Sequence, residues 1–257
     1  MMRAVIVGIA GRMGEEILRL APDAQVEVVG GTSTGRRAAE AANRLGIPVE
    51  TDLGRALDRG AEVVIDFSSP GACVAGARIC AERGVPFVSG TTGLDDAQLA
   101  VLREAAGRIA VLHAPNMSVG IHLLLRLVEE AAQALGEGFD VEILEAHHRH
   151  KKDAPSGTAL RLAETVALAL GRDLREVGRY GREGLVGPRS AREIGVLALR
   201  GGDVVGDHTV FFLGEGERVE LTHRASSRSA FAKGALRAAR WIVGRPAGFY
   251  GMRDVLG

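Results

Sequence analysis

The sequence predicts an α/β protein: a doubly wound parallel sheet covered by helices, with a second α+β domain built on a mixed sheet. Three observations lead there. Short apolar runs alternate with helical periodicity from residue 3 to residue 113, the spacing of βαβ units. The first run opens directly into a glycine-rich turn and a helix. After Asn116 the pattern changes to a long amphipathic segment and then to apolar runs joined by short turns.

The elements follow in order. Arg3–Val7 reads as a short buried strand ending in glycine, and Gly14–Leu20 as a helix with Met13, Ile17 and Leu20 on one face. Gln25–Gly30 is a second strand, followed by a polar turn and a small helix at Leu53–Arg59. Glu62–Phe67 (EVVIDF) is a third strand. Pro70 suits a first helical position and Gly84 the stop after Ala72–Arg83. Asp66-Phe-Ser-Ser-Pro70 lies past the third strand's end, where it can face a ligand or where Ser68 or Ser69 simply caps that helix. Val85–Ser89 and Ile109–His113 are strands around a helix, Asp95–Arg108, that starts with acids. Beyond them, Ser118 caps a helix to about Leu135, Phe139–Ala146 is a strand, and Thr158–Leu170 a helix. Gly171–Ser190 is Gly/Arg-rich with little periodicity; three strands follow at Glu193–Arg200, Asp207–Leu213 and Glu217–His223. Ser229–Val243 is a last helix, with the right pattern to return to the first domain.

Composition narrows the class. The chain has 257 residues, 46% hydrophobic and 25% charged, which suits an ordered globular protein. Its 32 basic and 32 acidic residues cancel, so no global field draws in nucleic acid or an anionic membrane. No apolar run reaches the length of a membrane span. Cys73 and Cys80 lie about two helical turns apart, too far for a disulfide, which fits packing in a reducing cytoplasm.

Gly8-Ile9-Ala10-Gly11-Arg12-Met13-Gly14 joins the first strand to its helix. Glycines permit a tight bend, and a helix N-terminus offers N–H groups to a pyrophosphate, so the turn suits a dinucleotide. Its G-x-x-G-x-x-G spacing leaves a ligand-free glycine turn as the alternative. At the end of strand 2, Gly30-Gly-Thr-Ser-Thr34-Gly-Arg36-Arg37 carries no acid for a ribose 2′-hydroxyl. Its hydroxyls and arginines tilt the cofactor toward NADPH, with NADH open and solvated arginines as the alternative. Ser89-Gly90-Thr91-Thr92-Gly93 and Ala114-Pro115-Asn116 lie past strand ends, where open α/β sheets bind ligands, or where loops satisfy their own hydrogen bonds.

Glu145-Ala-His-His-Arg-His-Lys-Lys-Asp-Ala-Pro-Ser-Gly-Thr-Ala-Leu160 concentrates three histidines and three cations. Alternation puts Glu145, His147 and Arg149 on one face of an extended chain, His148 and His150 on the other. A metal is disfavoured by Arg149, Lys151 and Lys152, which repel a divalent cation; a solvated basic loop is the plainer alternative. Against that loop, Ser156 or Thr158 can cap a helix whose first N–H groups are open at Gly157. Cations facing that helix start make a carboxylate clamp, and a neighbouring histidine can give up a proton near neutral pH.

These segments resemble the 4-hydroxy-tetrahydrodipicolinate reductase (dihydrodipicolinate reductase) family. The resemblance runs in order through GIAGRMG, SGTTG, APNMSVG, EAHHRHKKDAPSGTAL, Arg200-Gly-Gly-Asp-Val-Val-Gly-Asp-His208 and Thr222-His-Arg-Ala-Ser-Ser-Arg228. It implies NADPH- or NADH-dependent reduction of a small dicarboxylate in diaminopimelate and lysine synthesis, by a cytoplasmic homotetramer. It further implies that Gly8 to Met13 hold the pyrophosphate, Gly90 to Thr92 sit near the nicotinamide ribose, and Ala114 to Met117 line the nicotinamide pocket. By the same resemblance His147 is the proton donor and Lys151 a second acid or carboxylate partner, with His148, Gly157 and Thr158 as the substrate clamp beside Ser156. Thr34-Gly35 stands where some members have an acid–arginine pair, and Met117 where some have an aromatic. The expected domains are 1–118 with 228–257 for the dinucleotide and 119–227 for substrate and assembly, closing about hinges near Asn116–Ser118 and Ser226–Arg228. Two rival functions are another nucleotide-dependent dehydrogenase, for which Cys73 and Cys80 lack a neighbouring base, and a non-catalytic nucleotide sensor, which has no use for the HHRHK clamp.

Overall fold

A computed structural model describes residues 1–257, the side chain of Arg36 excepted. Its contacts divide the chain into two compact units, Met1–Val119 with Arg228–Gly257, and Gly120–Ser227. The first opens with β1 (Met2–Val7), α1 (Arg12–Leu20), β2 (Val26–Thr32), α2 (Arg36–Leu45) and β3 (Val49–Glu50). It continues through α3 (Leu53–Leu57), β4 (Val63–Asp66), α4 (Pro70–Arg83), β5 (Phe87–Ser89), α5 (Asp96–Ala105) and β6 (Ala110–His113).

The segment read as a polar turn after Gly30 is corrected here: β2 runs on to Thr32, and α2 and β3 follow. α2 escaped the apolar periodicity because Ala38 and Ala41 are what it buries, and alanine is a weak hydrophobic signal but the strongest helix former. The caps resolve two alternatives. Ser69, not Ser68, accepts from the N–H of Ala72 at the start of α4, while Asp95 and Gln98 form a reciprocal capping box on α5. Cys73 and Cys80 are buried, unbridged thiols on the sheet-facing side of α4.

The second unit contains α6 (Val119–Leu135, whose first residue belongs to the first unit), β7 (Asp140–His147), α7 (Gly157–Ala169), α8 (Leu174–Val177), β8 (Gly178–Arg179), β9 (Ile194–Arg200), β10 (Gly206–Leu213) and β11 (Arg218–Ala225). The strands pair in the order β11-β10-β7-β9-β8, the outer two pairings on the β10 side antiparallel and the rest parallel. This is the expected mixed sheet, and α8 and β8 arise inside the Gly/Arg-rich segment where no element was expected. One face is sealed by α6 and α7, through Leu124, Val128, Leu162 and Val166 packed on Val141, Ile143, Val196 and Phe212. On the other face Leu197 and Leu199 are 37% and 55% exposed.

The chain then returns to the first unit as α9 (Ser229–Ile242), β12 (Gly248–Tyr250) and α10 (Met252–Leu256), of which β12 and α10 were not anticipated. β12 pairs with β6 and completes an all-parallel sheet in the order β12-β6-β5-β4-β1-β2-β3. Strand order reverses between β1 and β4, where a doubly wound sheet opens a crevice at its carboxyl ends. Successive residues of the central strands feed opposite layers: Ile6 and Ile65 pack with Ile17 and Leu236, whereas Val5 and Val64 pack with Phe87 and Leu102. Among the described residues no helix is long and apolar enough to cross a membrane.

Candidate active site

In the first unit the chemistry gathers at the ends of β1, β4, β5 and β6. Gly8 has φ +79°, and a Cβ there would lie 2.6 Å from the Phe67 carbonyl oxygen. A Cβ on Gly14 would stand 2.5 Å from the Gly8 carbonyl oxygen, so α1 seats on the turn only because Gly14 has no side chain. Gly11 is the N-cap of α1 and places no side chain over its first N–H groups. A cleft of about 480 Å3 opens beside them. Gly11, Arg12 and Met13 line it from this turn, Gly90, Thr91 and Thr92 from the end of β5, and Pro115, Asn116 and Met117 from the end of β6. Phe67, Ser68, Arg228 and Phe231 complete the wall.

Other residues expected at the cofactor lie off this wall. Ile9 and Ala114 are buried in the core beneath it, Gly8 and Ala10 are half-buried in the turn, and Thr34 is exposed at the end of β2. Arg36 begins α2, and its side chain lies outside the described residues.

Asp66, at the end of β4, is fully buried and organises the cleft floor. It accepts hydrogen bonds from the hydroxyls of Ser89 at 2.8 Å and Thr91 at 2.7 Å, and from Ser68. The Thr91 hydroxyl oxygen in turn accepts from the Ser68 N–H at 3.0 Å. Three hydroxyls on one carboxylate pin the loops after β4 and β5 to each other. The sequence leaves this segment open between a ligand-facing loop and a helix cap and assigns Asp66 itself no role, although a single acid ending the apolar run VVID is the signal.

In the second unit the basic stretch leaves β7 at His147, so the strand alternation stops there and Arg149 does not continue it. Glu145 is fully buried on β7. Its Oε2 lies 2.6 Å from His147 Nδ1, and its Oε1 accepts from the Ser156 N–H at 2.9 Å. Arg200 grips both oxygens, Nη1 on Oε2 at 2.8 Å and Nη2 on Oε1 at 2.7 Å. Burial alone would push the Glu145 carboxyl up, but the donors from Arg200, His147 and Ser156 hold it below the usual carboxylate range. Burial lowers His147 below the ordinary histidine value; the Glu145 carboxylate opposes this, while Lys151 and Arg200 add to it.

Ser156 is the N-cap of α7, accepting from the Ala159 N–H at 3.2 Å, which decides between it and Thr158. Its hydroxyl also lies 3.2 Å from Nε2 of His208, a buried ring set edge-on to His147 with centroids 5.2 Å apart. Burial pushes His208 down to about 3, with His147 acting the same way, so the ring is neutral. Lys151 pairs with Asp153 at 2.9 Å, Gly157 is exposed at the helix start with Thr158 beside it, and His148 Nδ1 is buried with no partner among the described residues. Arg200 and His208 were recognised as a stretch but given no role; the register pairing His147 with Arg200 and Glu145 with His208 brings them in. Among the described residues no group of three His, Cys, Asp or Glu is placed to hold a metal.

Comparison with known proteins matches both units. Residues 2–117 match the family model for the N-terminus of dihydrodipicolinate reductase, and residues 120–256 that for its C-terminus. The 4-hydroxy-tetrahydrodipicolinate reductase of Myxococcus xanthus is 56% identical over 267 residues, covering 100% of this chain and 98% of that protein. The enzyme of the same name from Thiobacillus denitrificans is 52% identical, covering 99% and 98%. Among solved structures, a dipicolinate-bound dihydrodipicolinate reductase from Paenisporosarcina sp. TG-14 is similar with a TM-score of 0.81 at 26% identity, covering 99% of each chain. With both halves matched end to end and relatives above half identity over the full length, the chain belongs to the dihydrodipicolinate (4-hydroxy-tetrahydrodipicolinate) reductase family of oxidoreductases.

Proposed function

We propose that this chain reduces 4-hydroxy-tetrahydrodipicolinate to tetrahydrodipicolinate, with NADPH preferred over NADH, as one subunit of a homotetramer. The observation that carries the reading is the histidine–carboxylate–arginine cluster built onto the start of α7, a proton source beside the exposed helix start at Gly157. The family membership and the dipicolinate held by the Paenisporosarcina reductase support a planar dicarboxylate as its ligand.

The residues present fit a dinucleotide. The turn from β1 is stripped of side chains where a pyrophosphate approaches, and the first-turn N–H groups of α1 meet it with partial positive charge. Gly90 to Thr92 and Pro115 to Met117 form a partly apolar wall for the nicotinamide end. No carboxylate stands between β2 and α2 to hold a 2′-hydroxyl, and the start of α2 is basic, which favours a 2′-phosphate. When bound, the reduced nicotinamide supplies the hydride.

The chain's own groups do the rest. The exposed N–H of Gly157 at the start of α7, with Thr158 beside it, and the unpartnered His148 Nδ1 receive one substrate carboxylate. Lys151 exchanges Asp153 for a substrate carboxylate or delivers a proton. The protonated His147, made the more ready to give up its proton by the burial that lowers its pKa, protonates the ring atom on which charge develops as the hydride adds. The half-open outer face of β9, with Leu197 and Leu199, supports assembly through this sheet.

The test is a coupled assay in which aspartate semialdehyde, pyruvate and a dihydrodipicolinate synthase generate the substrate and nucleotide absorbance reports turnover. Protein-dependent oxidation, with a higher kcat/KM for NADPH than NADH, is expected. A folded protein that binds nucleotide and oxidises neither would overturn the proposal.

A further inference from the structure

We infer that Glu145, clamped by Arg200, is a positioning residue that assigns the proton-exchanging nitrogen of His147 and aligns the carboxylate-binding turn at Ser156. This rests on the proton-donor role proposed for His147. A fully buried carboxylate is costly unless its lone pairs are filled. The guanidinium fills one on each oxygen, and the remaining two are directed one to His147 Nδ1 and one to the Ser156 N–H. One rigid group therefore holds both the acid and the start of α7, and a movement of either is felt by the other.

An ionised carboxylate only accepts hydrogen bonds, so the imidazole nitrogen facing it must carry hydrogen. Nε2 is then the nitrogen that gains and loses the proton. Nε2 is turned toward Gly206, where a Cβ would lie 3.0 Å away, so the absence of a side chain there keeps it approachable. The charged and titratable groups facing the ring are Glu145 on its own strand, Lys151 after it, Arg200 from β9 and His208 from β10. Arg200 shares the carboxylate and so keeps Glu145 from locking His147 as an imidazolium that would not release its proton.

The competing explanation is a structural ion pair that only ties β7 to β9. It predicts lower stability for Glu145→Gln with the state of His147 unchanged. The experiment is histidine 15N NMR of the full-length protein across pH, with His147 assigned from the spectrum of His147→Gln. The wild type is expected as the Nδ1–H tautomer titrating at Nε2, and Glu145→Gln as the Nε2–H tautomer or a mixture. In parallel, Glu145→Gln should lower kcat/KM by roughly 10- to 100-fold and displace its pH profile, with nucleotide Kd within about twofold. An Nε2–H tautomer in the wild type overturns the inference even where the variant does not fold. So does a folded Glu145→Gln protein with the wild-type tautomer and pH profile. A wild-type tautomer as expected in a protein that turns over no cyclic imine leaves the positioning role standing and removes the catalytic one.

Discussion

His147 is worth most as a residue whose neighbours disagree: a carboxylate favours its charged form, while burial and two cations favour the neutral one. Removing it by His147→Gln should cut kcat by roughly 10²- to 10⁴-fold and leave nucleotide affinity intact, read by steady-state kinetics and fluorescence titration. Gly206→Ala tests the approach to the same ring. The new methyl crowds Nε2 and should lower kcat about tenfold or more without changing the fold, checked by far-UV circular dichroism. His208 carries a pH prediction of its own. Its folded value, about 3, lies below the unfolded one near 6.5, so the unfolded chain binds the extra proton between them. The stability it contributes is complete above about pH 6.5 and falls away as pH drops toward 3. Urea unfolding at a series of pH values should show this slope in the wild type and a shallower one in His208→Gln.

At the scale of elements, the site depends on how loops are anchored rather than on loop length. Asp66 ends β4 and ties the turns after β4 and β5 through three hydroxyls, with Cys73 Sγ 3.2 Å from the Ser89 hydroxyl beneath. An amide nitrogen cannot accept, so Asp66→Asn removes the acceptor of at least one hydroxyl proton. Nucleotide Kd should rise roughly tenfold, equivalent to about 1.4 kcal/mol, with substrate KM nearly unchanged, by isothermal titration and kinetics. Nucleotide affinity equal to the wild type would show that the loops hold themselves. Ser156→Ala removes the N-cap of α7 and should cost about 1 kcal/mol in thermal or chemical unfolding, with a rise in substrate KM.

Across the whole molecule, the second unit's sheet is covered on one face and carries exposed leucines on the other. On one register row Leu144 pairs with Leu197 and Ala146 with Leu199, an apolar strip along β7 and β9. Burying such a strip against further copies stabilises an assembly by about 25 cal/mol per Å2 before the cost of association. Sedimentation velocity should therefore give four times the 27.0 kDa chain mass, and Leu197→Glu with Leu199→Glu should shift it to smaller species. A wild-type protein sedimenting as a monomer would remove the tetramer.

The sequence by itself determined the architecture wherever local chemistry speaks strongly: the buried strands at Arg3–Val7 and Glu62–Phe67, the glycine turn between β1 and α1, and the mixed sheet after it. It also brought His147, Lys151 and the start of α7 together, because those residues are neighbours along the chain. Elements whose signal is weak stayed hidden. α2 buries alanines, and β12 has three residues that become a strand only beside β6. What only the tertiary structure decided is who neutralises whom. Glu145 meets Arg200 55 residues away and Asp66 meets Thr91 25 residues away, because strand register, not sequence separation, sets those distances. A buried carboxylate must find its donors somewhere in space, and composition cannot say where.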